Sequence, residues 1–223
     1  GCCGSYSQSG GSETFCRHGA SQKRGRNMSL TEKRYAAYWA LSGIVRPRTT
    51  LRFLRDRRET DRLWTTSRPE KLANLGSVTH LSILPLVEHY SADPRLAAEP
   101  GVSYLVSVDE EKILFDVGYN LQGEHPSPLL QNMAALGLSV ADVDSVFISH
   151  LHLDHVGGRA CQHRRTFALS GEPVDLEGIK AYVPAPMNHA TARVEVIQAP
   201  RRLAPGVASG GALMRAIWLM GPV

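Results

Sequence analysis

Three histidines and one aspartate lie within six consecutive residues, His150-Leu151-His152-Leu153-Asp154-His155. Neutral imidazole and carboxylate are donor groups that suit zinc, and they also suit iron or manganese. Residues two apart at a strand end point to the same side, so His150 and His152 can bind one ion together. Asp154 and His155 follow in the turn and can face a second ion, because paired metals lie roughly 3.5–4 Å apart. The spacing therefore predicts a site for two metal ions, zinc first and iron or manganese as alternatives.

The segments around this motif favour a built site over the competing interpretation, a surface cluster of histidines. Residues 145–149, SVFIS, form an apolar run that predicts a buried strand ending at the motif. Gly157 and Gly158 follow it and allow the backbone to turn sharply. A surface cluster would explain neither the apolar strand nor the glycine pair.

The wider pattern alternates predicted strands and helices, which indicates an α/β fold. The turn residues Asp109-Glu110-Glu111 separate two short apolar runs and so predict a β-hairpin. Ser29 and Glu32 match a helix capping box ahead of a segment that Pro47 ends. The predicted strands are 80–87, 102–108, 112–115, 145–149, 179–184 and 193–198, and the predicted helices are 29–45, 50–64 and 126–138.

The H-x-H-x-D-H pattern after an apolar strand resembles the signature of the metallo-β-lactamase superfamily, and Ile113–Gly118 (ILFDVG) resembles the aspartate motif that precedes it there. The resemblance implies an αββα sandwich in which His150 and His152 bind one metal and Asp154 and His155 bind the second. It also implies that Asp154 acts in catalysis by orienting the attacking hydroxide, and that Asp116 orients a ligand. For Asp116, a plain loop-capping carboxylate is the alternative.

Within that superfamily, the segments GVSYLV (101–106) and APGVASG (204–210) are similar to the dihydropterin ribofuranosyl-aminobenzene phosphate synthase branch. The resemblance extends over about residues 78–223. Members of the superfamily supply further ligands downstream, whereas only His163 and His189 follow the motif here. His163 is too close to lie on a separate strand, and His189 is either an extra ligand or a surface histidine. We therefore expect mainly the N-terminal half of the sandwich, in a chain truncated at its C-terminus.

Residues 1–75 differ in character from residues 76–223, and we predict a leader and an incomplete metallo-β-lactamase-like domain. Residues 17–71 contain 15 Lys/Arg and 5 Asp/Glu, a net charge of +10, whereas the rest of the chain has a net charge of −6. The first 27 residues are rich in Gly and Ser, which predicts disorder. A basic leader can contact nucleic acid or can be a solvated segment. No run of roughly 20 apolar residues occurs, so we predict no membrane association.

These observations predict a metal-dependent hydrolase that acts on a small-molecule substrate of unknown identity. Two alternatives remain open: a nucleic-acid-processing member of the same superfamily, and an inactive remnant that binds metal weakly or not at all. The four cysteines, Cys2, Cys3, Cys16 and Cys161, contain no CxxC pair, which favours reduced thiols and a cytoplasmic protein. The sequence does not predict an oligomeric state.

Overall fold

The computed structural model describes residues 47–66 and 71–212. Its first element is helix α1, Pro47–Thr66, which confirms the helix predicted at 50–64 and extends it at both ends. Proline suits the first turn of a helix because its missing N–H would have no partner there. The predicted helix 29–45 and the Gly/Ser-rich start lie outside the described residues. The described residues from Arg48 onward belong to one compact unit, and the predicted boundary at residue 75 stays a prediction.

A six-stranded sheet forms the framework of the described body, with the strands in chain order from β1 to β6. The pairs β1–β2 and β2–β3 are antiparallel, whereas β3–β4, β4–β5 and β5–β6 are parallel. This mixed α/β arrangement confirms the predicted fold class. The strands are β1 Leu81–Val87, β2 Ser103–Val108, β3 Glu111–Phe115, β4 Ser145–Phe147, β5 Lys180–Val183 and β6 Arg193–Val196.

The predicted hairpin is present as β2 and β3, which pair from Val108 with Glu111 to Tyr104 with Phe115. Asp109 in its turn has a positive φ of 51°, a conformation that aspartate tolerates better than most residues. Its Oδ1 accepts the backbone N–H groups of Thr79 and His80 at 3.0 and 2.8 Å. The hairpin turn therefore also fixes the chain just before β1.

A helical connection joins the parallel strands β3 and β4, as parallel pairing requires. Helix α2 is Pro128–Ala135, capped by Ser127, whose side chain accepts the N–H of Leu130. It buries Leu129 and Met133 against the sheet side of the core. The helix is shorter than the predicted 126–138, because the cap fixes its start at Pro128 and Gly137, with a φ of 72°, follows its end.

Three elements after the motif were not predicted from the sequence. Helix α3, Arg159–Arg164, is only six residues long, and strands β7 Arg201–Ala204 and β8 Val207–Ser209 form a separate two-stranded sheet. Elements this short contain too few residues for periodicity to show. The β7–β8 turn occurs at Gly206, whose φ is 71°.

One hydrophobic core lies between the sheet and α2. Leu114, Leu129, Val146, Ile148 and Val156 are fully buried in it. The edge strand β1 is different, since Leu81 and Ile83 are 60% and 61% exposed. None of the helices in the described ranges is both long and apolar enough to cross a membrane.

Candidate metal centre

Strand β4 delivers the histidine motif to the carboxyl end of the parallel strands. It lies between β3 and β5, with Val146 and Ile148 fully buried. The Ile148 N–H donates to the carbonyl of Tyr182 at 2.9 Å, which extends the sheet pairing by one step before the motif begins. The His155 N–H donates to the carbonyl of His152 at 3.0 Å and closes the following turn. A short buried strand thus fixes where the imidazoles emerge.

The four predicted ligands lie beside one another. His150 Nε2 is 2.9 Å from His152 Nδ1, and the rings of His150 and His155 have centroids 4.0 Å apart. His155 Nε2 is 3.7 Å from Asp154 Oδ2. Asp154 is the more accessible of these two residues, with 42% of its side chain exposed against 17% for His155.

Asp116 forms hydrogen bonds with His155 of the motif and with Ser149, which precedes it. It follows β3, has a φ of 57° and is fully buried. Its Oδ2 lies 2.7 Å from His155 Nδ1 and accepts the Ser149 hydroxyl at 2.6 Å, while its Oδ1 accepts the Ser149 N–H at 2.7 Å. The carbonyl of Asp116 accepts the Ser103 hydroxyl at 2.8 Å. Both carboxylate oxygens of Asp116 are thus bonded, to Ser149 and to His155. Contacts of this kind can orient a histidine, and the ligand-orienting role of Asp116 stays a prediction.

These contacts indicate which nitrogen carries the proton in the neutral imidazoles of His155 and His150. An ionised carboxylate only accepts, so His155 donates from Nδ1 to Asp116 and its Nε2 keeps a lone pair. Ser149 gives its single proton to Asp116, so it accepts at 2.9 Å from Nδ1 of His150. His150 Nε2 is then also a lone-pair nitrogen, and it faces His152 Nδ1.

Ser149 was not singled out from the sequence, although it connects Asp116 to His150. The contact of Ser149 with Asp116 joins residues 33 positions apart. The sequence contains nothing local from which this bond could be predicted.

Burial, followed by the neighbouring imidazoles of His155 and His152, lowers the pKa of His150 to about 4. A histidine with so low a pKa is neutral at physiological pH. Neutral imidazole is the form that donates to a metal. His150 can therefore bind a cation at physiological pH without first losing a proton.

The imidazole and carboxylate groups of the motif are suitable ligands for divalent cations, and they lie close together in two pairs, His150 with His152 and Asp154 with His155. No three His, Cys, Asp or Glu side chains in residues 47–66 and 71–212 are grouped to hold an ion as they stand. His150 Nε2 and His152 Nδ1 are 2.9 Å apart, which is a hydrogen-bond distance. A cation bound by the lone pairs of both nitrogens would take the place of the proton between them. The 3.7 Å separation of Asp154 and His155 also leaves room for an ion about 2 Å from each.

The other histidines that follow the motif lie in different surroundings. His189 stacks on Phe167 with ring centroids 4.5 Å apart, and its Nδ1 accepts the N–H groups of Thr191 and Ala192 at 3.2 and 3.0 Å. Burial lowers its pKa. His163 lies in α3. The contacts of His189 stabilise its own turn, so the expectation of an extra ligand gains no support from them.

A cleft of about 540 Å³ opens beside His150 and His152. Its described lining contains no Lys, Arg, Asp or Glu, and its polar side chains besides the two histidines are Ser149 and Ser209. Ligand sites are commonly apolar clefts with a few polar groups. The apolar lining is provided by Phe147, Leu151, Val183, Pro184, Ala185, Ile197, Ala208 and Ala212.

The fold and the histidine cluster correspond to a known class. Residues 96–159, which contain β2 to β4 and the whole motif, match the model of the metallo-beta-lactamase superfamily. The predicted resemblance to this superfamily is thereby confirmed over residues 96–159.

Parts of the chain are similar in sequence to individual proteins of known description. Over 92 residues the chain is 32% identical to 7,8-dihydropterin-6-methyl-4-(beta-D-ribofuranosyl)-aminobenzene-5'-phosphate synthase of Methanocaldococcus jannaschii, covering 39% of this chain and 30% of that protein. Over 62 residues it is 47% identical to "Probable RNase MJ4" of the same organism, covering 27% and 13%. Among solved structures, BJP-1, a subclass B3 metallo-beta-lactamase of Bradyrhizobium japonicum, matches at 26% identity over 36% of this chain and 25% of that one, with a TM-score of 0.24. The chain thus spans less than a third of the length of these curated relatives.

Proposed function

We propose that this protein is a metal-dependent hydrolase whose site is built on His150, His152, Asp154 and His155. The observation that carries the proposal is the contact of Asp116 with His155 and, through Ser149, with His150. Buried carboxylates that fix the tautomer of a histidine are the usual support of metal ligands. Loop capping alone would not require both histidines to be oriented by the same carboxylate.

In the proposed reaction, His150 and His152 would hold one divalent cation, and Asp154 and His155 would hold a second. A divalent cation, zinc in the first instance, supplies Lewis acidity and makes water acidic enough to attack near neutral pH. Asp154 is the most accessible carboxylate of the cluster. It orients the attacking water and accepts its proton. Asp116 keeps His155 pointing at the site and is itself shielded from solvent.

The cleft supports a substrate with an uncharged, apolar group beside the bond that is cleaved. Charged lining would be expected for a substrate held by its phosphates, and the described walls contain none. A small ester or amide fits this lining better than a phosphodiester. A small-molecule substrate and a cytoplasmic location remain part of this proposal.

Metal stoichiometry and hydrolysis together test the proposal. The metal-free chain is dialysed against zinc, and bound zinc is measured beside His152→Ala and beside His80→Ala, an exposed histidine outside the site. We expect the wild-type chain and His80→Ala to bind up to two ions and His152→Ala to lose binding. Nitrophenyl esters should be hydrolysed faster than bis-nitrophenyl phosphate. A wild-type chain that binds no zinc would instead indicate the inactive remnant.

A second candidate, a nucleic-acid-processing enzyme, is favoured by the 47% identity to "Probable RNase MJ4" over 62 residues. In this case the basic residues 17–71 would track phosphates. Binding to single-stranded RNA would then weaken steeply with salt, since each phosphate contact releases counterions. RNA cleavage that is lost in His152→Ala would favour this candidate over the first.

A further inference from the structure

A buried carboxylate outside the motif anchors the loop that carries Asp116. Glu99 is 8% exposed, and its Oε1 accepts the N–H groups of Tyr119 and Asn120 at 2.9 and 3.0 Å. Its Oε2 accepts the N–H of Leu121 at 3.3 Å. Three successive backbone donors therefore point at one carboxylate.

The loop has a backbone conformation that forms such an anion nest. Asp116, Gly118 and Asn120 have φ values of 57°, 76° and 48° and alternate with Val117 and Tyr119. Alternating left-handed residues turn consecutive N–H groups towards one point. A Cβ on Gly118 would lie 2.8 Å from Glu99 Oε1, so the carboxylate occupies the space that a side chain would need.

The same loop is bonded to the motif through its backbone. Val117 donates its N–H to the carbonyl of His155 at 3.0 Å, and Gly157 donates to the carbonyl of Gly118 at 2.9 Å. Val102, close to Glu99 in the chain, donates to the carbonyl of Asp154 at 3.3 Å. Displacement of the loop would therefore move Asp116 and the turn after the motif together.

We infer that Glu99 is a positioning residue of the site: it fills the backbone nest at residues 119–121 and so holds Asp116 against His155. It acts through Asp116 and touches no proposed ligand itself. Its effect on metal affinity rests on the proposed function, whereas its effect on the Asp116–His155 contact does not.

Two variants and a matched control test this role in the full-length chain. Glu99→Gln keeps one acceptor oxygen and removes the other, and Glu99→Ala removes both. Asp109→Asn is the control, because Asp109 also accepts two backbone N–H groups but lies at the opposite end of β3. Thermal unfolding of all three separates a loss of stability from a loss of positioning.

The first readout is the Nδ1–H proton of His155 in the metal-free, nitrogen-15-labelled protein. Bonded to Asp116, it should exchange slowly with water in the wild type and in Asp109→Asn. We expect faster exchange in Glu99→Gln and loss of the signal in Glu99→Ala. The backbone amide spectrum of both variants should remain that of a folded protein. An unchanged signal in folded Glu99→Gln and Glu99→Ala would overturn the inference. If Glu99→Ala does not fold, Glu99→Gln decides it alone.

The second readout is zinc affinity by competition with a chelating dye. We expect a loss of about tenfold in Glu99→Gln and up to about a hundredfold in Glu99→Ala, the range found when groups that orient ligands are removed. A changed His155 signal with unchanged zinc affinity would overturn the connection to metal binding. Failure of the wild type to bind zinc would reject the proposed function and leave the proton measurement to decide the role of Glu99.

Discussion

Asp116 and His155 lie 39 residues apart in the chain, and their side chains meet at 2.7 Å in the buried interior of the site. The carboxylate stands at the end of β3 and the imidazole in the turn after β4, so the parallel pairing of these strands brings them together. The same carboxylate reaches His150 through Ser149. One buried anion thus orients two of the three histidines of the motif.

Replacing Asp116 with asparagine should disrupt both orientations. The new amide nitrogen cannot accept a proton from His155 Nδ1, so the imidazole is expected to change tautomer or rotate. Zinc affinity should fall by about 10- to 100-fold. Competition titration measures the fall, and Asp144→Asn is the control, since Asp144 accepts the N–H of Lys112 away from the motif. Equal affinities in the two variants would contradict the assigned role of Asp116.

Ser149→Ala should have a narrower effect than Asp116→Asn. It removes the hydroxyl between Asp116 and His150 but leaves the contact of Asp116 with His155 intact. Nitrogen-15 shifts should show mixed tautomers for His150 and an unchanged state for His155. Ser149→Thr keeps the hydroxyl and should restore the wild-type pattern for His150. Perturbation of both histidines by Ser149→Ala would show that the two orientations are not separable.

Acid should destabilise the metal-free protein in a window set by His150. Burial, followed by the neighbouring imidazoles, lowers its pKa to about 4 from the ordinary value of 6.5. As pH falls from 6.5 to 4 the unfolded chain takes up a proton that the folded protein refuses. The free energy contributed by neutral His150 is therefore complete above about pH 6.5 and is lost through this window.

Two measurements check this prediction on the metal-free protein. The Cε1 proton of His150 should titrate near pH 4, and urea unfolding of the wild type should weaken more between about pH 7 and 4 than that of His150→Gln. Because the His150 side chain is only partly buried, the difference in unfolding free energy will be smaller than the pKa shift alone implies. A midpoint near 6.5 would mean that the site is not desolvated around His150.

Two glycine substitutions separate backbone strain from crowding behind the motif. Gly137 has a φ of 72° and open space around it, so Gly137→Ala should cost about 1 kcal/mol of unfolding free energy. Gly157 has a φ of 83°, and a Cβ there would lie 2.2 Å from the carbonyl oxygen of Ala168. Gly157→Ala should therefore cost about 3 kcal/mol or more. Urea unfolding compares the two, and equal losses would contradict the close approach.

The sequence was sufficient to predict the hairpin, the delivering strand and the cluster of donors, because each depends on residues close together in the chain. The β2–β3 hairpin needs only its turn residues and alternating runs, and the motif needs only β4. The predicted metal roles of His150, His152, Asp154 and His155 stay predictions until zinc binding is measured.

Contacts between distant segments account for what the sequence did not predict. Ser149 meets Asp116 across 33 residues, and Glu99 meets Tyr119 across 20. Neither partner is marked by a local pattern, since a serine before a histidine and a glutamate before a proline are ordinary. The predicted position of helix α2 was correct, but its predicted length was too great. Apolar periodicity does not reveal the cap at Ser127 or the glycine after Leu136, which limit the helix.

Strand β1 gives the body an open side. Within the described residues it pairs with β2 alone, and no residue of Leu81–Val87 carries a charge. Sheets usually guard such an edge with lysine or a bulge, because free N–H and C=O groups recruit strands from other molecules. Pro85 removes one donor, and the pairing with β2 shifts register between Pro85 and Val87, yet Leu81 and Ile83 remain accessible. In the part of the chain that the structure describes, this edge is therefore the place where a further strand would be expected to add to the sheet.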